Sequence, residues 1–179
     1  MAANLEKRAA ALASCGAAAS GMHLTGYASV FNSPADIGDF TETVAPTAFD
    51  RTLAEIASGN ADVVLCLDHD VRQLLGRTRS GTLKLSKDSH GLKVDAELPN
   101  TQLGRDVAEL VRRGDAYGMS FCFAVREGGE SWRSKRSRQL TDVRLEEVSV
   151  LTTEPAYPQT SVSMRSKGAD KRIYYAWTF

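Results

Sequence analysis

The stretch Gly118–Val125 constrains the fold most, because its residues alternate between two unlike classes. Large apolar residues take every second position, and small residues take the positions between them. The apolar set is Met119, Phe121, Phe123 and Val125, and the small set is Gly118, Ser120, Cys122 and Ala124. Successive side chains of a strand point to opposite faces, so this pattern predicts a strand with one face in a core. The other face is then expected to be open enough for a hydroxyl to be approached.

Ser120 is the candidate nucleophile on the small face of this strand. A serine in such a setting is more often structural, so the assignment requires a base and a group that orients the base. Cys122 is a rival nucleophile on the same face. We place Cys122 second, because the sequence shows no evident activator of its thiol.

Composition and charge argue against several classes of function. The formal net charge of the 179 residues is zero, whereas a dedicated nucleic-acid-binding protein is usually basic. No apolar run approaches membrane-spanning length, so no membrane association is expected. The three cysteines, Cys15, Cys66 and Cys122, are widely spaced and form no disulfide or zinc motif. They favour a reducing, intracellular setting, with Cys66 and Cys122 as buried thiols.

The length predicts one domain with a substantial core. Residues 1–20 are alanine-rich and have helical potential but no apolar stripe, so we expect a poorly ordered extension there. The folded domain is predicted over residues 21–165. Residues 166–179 form a basic, aromatic tail with no clear period.

Apolar periodicity and turn residues together predict the order of elements. Strands are predicted at 22–31, 62–67, 73–78, 82–86, 91–98, 118–123, 139–143 and 145–151. Helices are predicted from about Pro46 to Gly59, and from a cap at Asn100 or Thr101 to Gly114. Residues 127–137 are predicted to be a polar surface loop around Trp132. This order indicates an α+β fold with a mainly antiparallel, barrel-like sheet flanked by helices.

His69 is the candidate base, because it directly follows the apolar run 62–67, where a rigid strand aims a side chain. The pKa of histidine lies near neutrality, which suits a base that takes a proton from a serine hydroxyl. Taken alone, this histidine is more often structural. The flanking Asp68 and Asp70 are also consistent with a metal site, but no second cluster of histidines or acids completes one.

Glu146 and Glu147 are the candidate acids that orient the histidine ring. A carboxylate on an otherwise apolar strand is costly unless it is paired, and a histidine is a suitable partner. Strict alternation places Glu147 on the face of Leu145 and Leu151, and Glu146 on the face of Val148. Alternation alone therefore does not choose between the two acids.

Residues 133–138 form a basic run between the predicted strands at 118–123 and 139–143. Such a run contacts nucleic acid or an acidic tail in some proteins, and more often it is a solvated loop.

Six short strings, in order along the chain, together resemble the caudoviral prohead serine proteases, a family similar in fold to the herpesvirus assemblins. The strings are Gly26–Phe31, Ala45–Phe49, Leu67–Asp70, Gly118–Phe123, Glu147–Ser149 and Pro155–Pro158. Each string is weak alone, but their order and spacing from about residue 24 to 164 are specific.

The resemblance implies a herpesvirus-protease-like fold over residues 21–165 and a serine endopeptidase of phage or prophage capsid maturation. By analogy Ser120 is the nucleophile, His69 the general base and Glu147 the third member of the triad, with no metal or cofactor. The enzyme would cleave the scaffolding region of the major capsid protein, and usually itself, in the host cytoplasm inside the immature capsid. Self-association is compatible with this family.

The sequence is also consistent with a second class of function. The same fold would also serve a catalytically inactive binding or scaffold-associated module of the capsid interior, for which the basic run at 133–138 supplies a contact surface.

Overall fold

The computed structural model of the protein describes residues 6–11, 22–153 and 161–164. Within these ranges the chain forms strands and two helices. The strands are β1 (Glu6–Ala11), β2 (Met22–Val30), β3 (Ala35–Asp36), β4 (Thr41–Val44), β5 (Val64–Leu67), β6 (Asp70–Arg77), β7 (Leu83–Lys87), β8 (Gly91–Leu98), β9 (Gly118–Val125), β10 (Glu130–Ser134), β11 (Ser137–Leu140), β12 (Val143–Leu151) and β13 (Ser161–Met164). The helices are α1 (Asp50–Ala57) and α2 (Gln102–Arg113).

The described strands form three sheets. The five-stranded sheet has the order β1-β9-β12-β5-β6, and β9 is antiparallel to both of its neighbours. The other two sheets have the orders β10-β11-β4-β3 and β13-β2-β8-β7. Pairing is mainly antiparallel, but β12 with β5 and β11 with β4 are parallel pairs. The α+β class is therefore confirmed.

The expectation of a barrel-like sheet is wrong. Each of the three sheets ends in an edge strand on both sides, and in the described part of the chain no ladder of hydrogen bonds joins the last strand of a sheet to its first. Closure of a barrel requires that ladder. The two parallel pairs also break the run of hairpins from which an antiparallel barrel is built.

The strand β9 is buried on both faces. Its apolar side chains enter one continuous core, in which the Phe121 and Phe123 rings stack with centroids 5.2 Å apart. Phe49, just before α1, meets Phe121 edge to face at 5.5 Å. An aromatic cluster of this kind buries much apolar surface and fixes the rings by their geometry. Residues Gly118–Val125 thus form the predicted strand, and its large apolar side chains face the core as predicted.

The two helices lie near their predicted positions. The side chain of Thr101 accepts a hydrogen bond from Gly104 N and caps α2, and Gly114 ends that helix with a φ of 82°. A left-handed C-terminal position favours glycine, as expected. The first helix begins at Asp50 rather than at Pro46, because the residues after Pro46 form a turn in which Ala48 N donates to Ala45 O.

Two segments differ from the sequence-based expectation. Residues Glu6–Ala11 form β1, although the alanine-rich segment was expected to be poorly ordered or helical. Residues 127–137 are not a loop throughout, because β10 and β11 pair as a hairpin. In both cases pairing with a neighbouring strand overrides a weak local preference. The predicted break at Pro155 and Pro158 and the tail after 165 lie outside the described residues.

Candidate active site

A two-residue turn presents His69 at the end of β5. Asp68 and His69 have φ angles of 47° and 61°, and Leu67 pairs with Asp70 on either side of them. Two consecutive positive φ angles are the requirement of a type I′ hairpin turn, which glycine or asparagine usually meets. Residues held in the left-handed region without glycine cluster at functional sites.

The carboxylates that flank His69 are engaged elsewhere. Asp68 accepts hydrogen bonds from Thr152 N at 2.8 Å and from Thr152 Oγ1 at 2.6 Å, which fastens the turn to the end of β12. Asp70 pairs with Arg72, and that guanidinium lowers the pKa of Asp70 to about 2. Among the described residues, no group of three or more histidines, cysteines and acids is arranged to hold a metal ion.

A β-bulge at Glu146 decides which acid faces His69. Leu145 pairs with Phe123, whereas Glu147 pairs with Cys122, so one extra residue lies between the two pairs. A bulge of this kind reverses the alternation of side chains beyond it. Leu145 therefore stays in the core, and Glu147 points to the opposite, small face, which corrects the placement given by strict alternation. Glu146 instead pairs with Arg144 near the surface.

Glu147 and His69 are in direct contact. The Nδ1 atom of the ring lies 2.8 Å from Oε2 of Glu147, and the two side chains are 16% and 7% exposed. The Ser149 hydroxyl donates to Oε1 of the same carboxylate and accepts a hydrogen bond from His69 N at 3.0 Å. One hydroxyl therefore holds both the acid and the backbone of the turn. This pairing suits an acid that orients a histidine ring.

Ser120 lies in the strand next to Glu147 and Ser149. It is the cross-strand partner of Ser149 on the same small face, so their Cα atoms are about 4.5–5.5 Å apart. Its side chain is fully buried, and its hydroxyl donates a hydrogen bond to Arg8 O at 2.6 Å. The expectation of an open small face is thus wrong, because β1 pairs with β9 and covers that position.

Burial makes the two described thiols poor nucleophiles. It raises the pKa of Cys66 to about 12 and raises the pKa of Cys122 as well. Nucleophilic attack requires the thiolate, which a raised pKa disfavours. Both residues are free, buried cysteines, as the sequence predicted, and Cys15 lies outside the described residues.

The remaining candidates lie away from this group. His23 pairs with Asp95 at 3.0 Å, and the His90 ring packs edge to face on Tyr27. The basic run 133–138 lies on the β10–β11 hairpin, and its last member, Arg138, is buried in ion pairs rather than solvated. The structure therefore brings the His69 ring onto Glu147 and places Ser120 on the neighbouring strand, opposite Ser149.

Residues 8–172 match the model of one protein family, the caudovirus prohead serine proteases. The chain belongs to this family. No curated protein and no solved structure matches it. The likeness to the herpesvirus fold consequently stays a prediction. In general terms, the prohead protease family comprises serine peptidases of phage capsid maturation, which act on capsid protein inside the prohead.

Two residues of the candidate site were not expected from the sequence. Ser149 lies two residues after Glu147 in the same strand, and this spacing was the only sequence signal that the two side chains share a face. Arg8 lies in the alanine-rich segment and carried no signal, although its carbonyl meets Ser120. None of the helices in the described part of this prohead protease is both long and apolar enough to cross a membrane.

Proposed function

We propose that the chain is a serine endopeptidase of prohead maturation in which Ser120 is the nucleophile, His69 the general base and Glu147 the acid that orients the base. The hydrogen bond between His69 Nδ1 and Glu147 Oε2, beside the strand of Ser120, is the observation that carries this proposal. The substrate is the scaffolding region of the major capsid protein, and the enzyme also cleaves its own chain.

The chemistry is acyl transfer. Oγ of Ser120 attacks the carbonyl carbon of the scissile peptide bond while His69 takes the hydroxyl proton. The bond to nitrogen then breaks, and the imidazolium gives its proton to the departing amine. A water molecule, deprotonated by the same ring, hydrolyses the acyl-enzyme, which releases a carboxylate and restores the serine. Glu147 stabilises the imidazolium formed in both halves of the reaction.

A second candidate is supported by the hydrogen bond of Ser120. The hydroxyl has a single proton and donates it to Arg8 O, and not to His69. A chain that keeps this arrangement permanently would be an inactive binding module of the capsid interior with the same fold. The two candidates differ in whether the Ser120 hydroxyl ever becomes reactive.

Co-expression with the capsid protein tests the proposal. Wild-type protein is expected to shorten the capsid subunits, and Ser120→Ala is expected to slow the processing about 10⁴-fold or more. Ser131→Ala is a matched control, because Ser131 is an exposed serine on β10 and its loss leaves the site intact. Processing that survives Ser120→Ala would show that another residue is the nucleophile. Subunits that stay intact with every variant would favour the inactive module.

A further inference from the structure

The strand β1 lies where an extended peptide would have to lie in order to reach Ser120. It forms the edge of the five-stranded sheet, antiparallel to β9, with Ala9 opposite Ser120. The carbonyl oxygen of Arg8 is 2.6 Å from Oγ of Ser120. Without β1, the edge of the sheet would be β9 itself. A free edge accepts an extended peptide as an added strand through backbone hydrogen bonds.

The side chain of Arg8 enters a buried acidic pocket on the other face of the sheet. Its Nε atom lies 2.7 Å from Oε1 of Glu42, and a second guanidinium nitrogen lies 3.1 Å from Oε2 of the same carboxylate. The guanidinium also lies over the ring of Phe123, 5.5 Å from its centroid. Glu42 is fully buried, so this is a two-point, desolvated recognition of a guanidinium.

The pocket keeps the buried carboxylate of Glu42 when β1 is taken away. Arg138 contacts Glu42 at 2.9 Å and Glu130 at 2.6 Å, so within this group two carboxylates face one guanidinium. Glu6, which also belongs to β1, leaves together with Arg8. A buried carboxylate in such a group is stabilised by an incoming cation. The chemistry of the pocket thus selects a basic side chain in the position of Arg8.

We propose that β1 is an intramolecular stand-in for the substrate strand, and that Glu42 selects a basic residue at the position that supplies the scissile carbonyl. This inference rests on the proposed peptidase function. While β1 is paired, it covers Ser120 and competes with substrate at an effective concentration of about millimolar, as expected for a tethered ligand. Release of β1 both exposes the hydroxyl and frees the acidic pocket.

Labelling of Ser120 by a fluorophosphonate measures the release of β1 in the full chain. Arg8→Gln removes the charge that holds β1 and is expected to raise the labelling rate at least tenfold over wild type. Glu6→Gln removes the contacts of the same strand with Arg8 and Arg138, and it is expected to give a smaller rise because Glu6 is partly exposed to solvent. Glu109→Gln is the matched control, because Glu109 is an exposed acid of α2 that pairs with Arg112 of the same helix, and its loss leaves β1 in place.

Short peptides measure the selectivity of the pocket. In an Arg8→Gln, Ser120→Ala background, a fluorescent peptide with the sequence of residues 6–11 is expected to bind at least ten times more tightly than the same peptide with glutamine in place of arginine. Glu42→Gln, added to that background, is expected to abolish the difference. Because the nucleophile is absent in these variants, the binding measurement does not depend on catalysis.

The outcomes separate this inference from the peptidase proposal. Measurable labelling at the same rate in wild type, Arg8→Gln and Glu6→Gln would show that β1 does not control access to Ser120. Loss of cooperative thermal unfolding in both variants would show that β1 is a permanent part of the fold. Equal binding of the two peptides would overturn the role of Glu42 and leave the peptidase intact. Selective peptide binding with no labelling of any variant would retain the strand site and overturn Ser120 as a nucleophile.

Discussion

His69 and Glu147 are 78 residues apart in the sequence, yet Nδ1 of the ring lies 2.8 Å from Oε2 of the acid. Two local irregularities produce this contact. The left-handed turn at Asp68 and His69 projects the ring from the end of β5, and the bulge at Glu146 turns Glu147 toward the same face. Since β5 and β12 are parallel neighbours, both features meet on one side of the sheet.

Replacement of Glu147 by glutamine is expected to abolish most of the peptidase activity. The amide keeps the shape of the side chain but cannot stabilise an imidazolium, and it favours the wrong ring tautomer. The expected fall in kcat is about 10⁴-fold, the size of the loss when the acid of a serine triad becomes an amide. Cleavage of a capsid-derived peptide measures it.

Glu146→Gln is the matched control for this experiment. Glu146 is the adjacent acid, but it pairs with Arg144 near the surface. Its replacement is expected to leave kcat within about twofold of wild type, because a partly exposed ion pair contributes little. Equal losses in the two variants would remove Glu147 from its proposed role.

Ser149→Ala is expected to weaken both stability and catalysis. The change removes the acceptor of the His69 backbone N–H and a donor to Glu147 Oε1. A buried donor without its acceptor costs about 1–3 kcal/mol in the free energy of unfolding. The pH profile of kcat is expected to shift, because the carboxylate that faces the ring is held differently. Ser149→Thr, which keeps the hydroxyl, is expected to recover much of the activity.

Ser29→Ala serves as the control for a buried hydroxyl. Ser29 is also buried, but within the described residues its Oγ has no hydrogen-bond partner. Its replacement by alanine is expected to be neutral or slightly stabilising in urea denaturation, because the change removes from the protein interior a hydroxyl that has no hydrogen-bond partner. A loss for Ser29→Ala as large as that for Ser149→Ala would mean that the hydrogen bonds of Ser149 are not the cause.

Much of the fold followed from apolar patterns in the sequence. The two-faced pattern at Gly118–Val125 predicted a strand with a core face. The second helix begins after its cap at Thr101 and ends at Gly114, as expected. These features depend on residues close together in the sequence. Their side-chain period and turn chemistry therefore carry enough information on their own.

The details of the site depended on interactions that a local pattern does not contain. The bulge at Glu146 exists only as a mismatch between two paired strands, so alternation along one strand gave the wrong face for Glu147. The strand at Glu6–Ala11 forms because β9 offers an edge and because Glu42 holds Arg8. An alanine-rich segment has little strand preference of its own, so tertiary contacts decided its conformation.

The buried thiols give a prediction about pH. The pKa of Cys66 is raised to about 12 by burial, so in the folded protein this thiol stays protonated at pH 8. Its unfolded pKa is about 8.5. Between these two values the unfolded state binds fewer protons than the folded state, and stability is expected to fall as the pH rises.

Alkylation by iodoacetamide checks the state of the thiols. In a Cys15→Ser background, Cys66 and Cys122 are expected to react slowly at pH 8 in native buffer and rapidly in urea, as measured by mass spectrometry. Cys122→Ala is expected to leave peptide cleavage within about twofold of wild type, because burial raises the pKa of that thiol and disfavours the nucleophilic form. Rapid native alkylation of Cys122 together with loss of cleavage in Cys122→Ala would restore it as the nucleophile.

Truncation of Phe121 tests whether the apolar face of β9 supports the fold. Phe121 is fully buried between Phe49 and Phe123, so Phe121→Ala leaves a cavity that its neighbours only partly fill. The free energy of unfolding is expected to fall by about 3–5 kcal/mol, as measured by urea denaturation. Trp132→Ala is the control, because that residue is 48% exposed and its ring packs at the surface on Phe40, so a loss below about 1.5 kcal/mol is expected. A small effect of Phe121→Ala would mean that β9 is held by its backbone pairing rather than by its aromatic face.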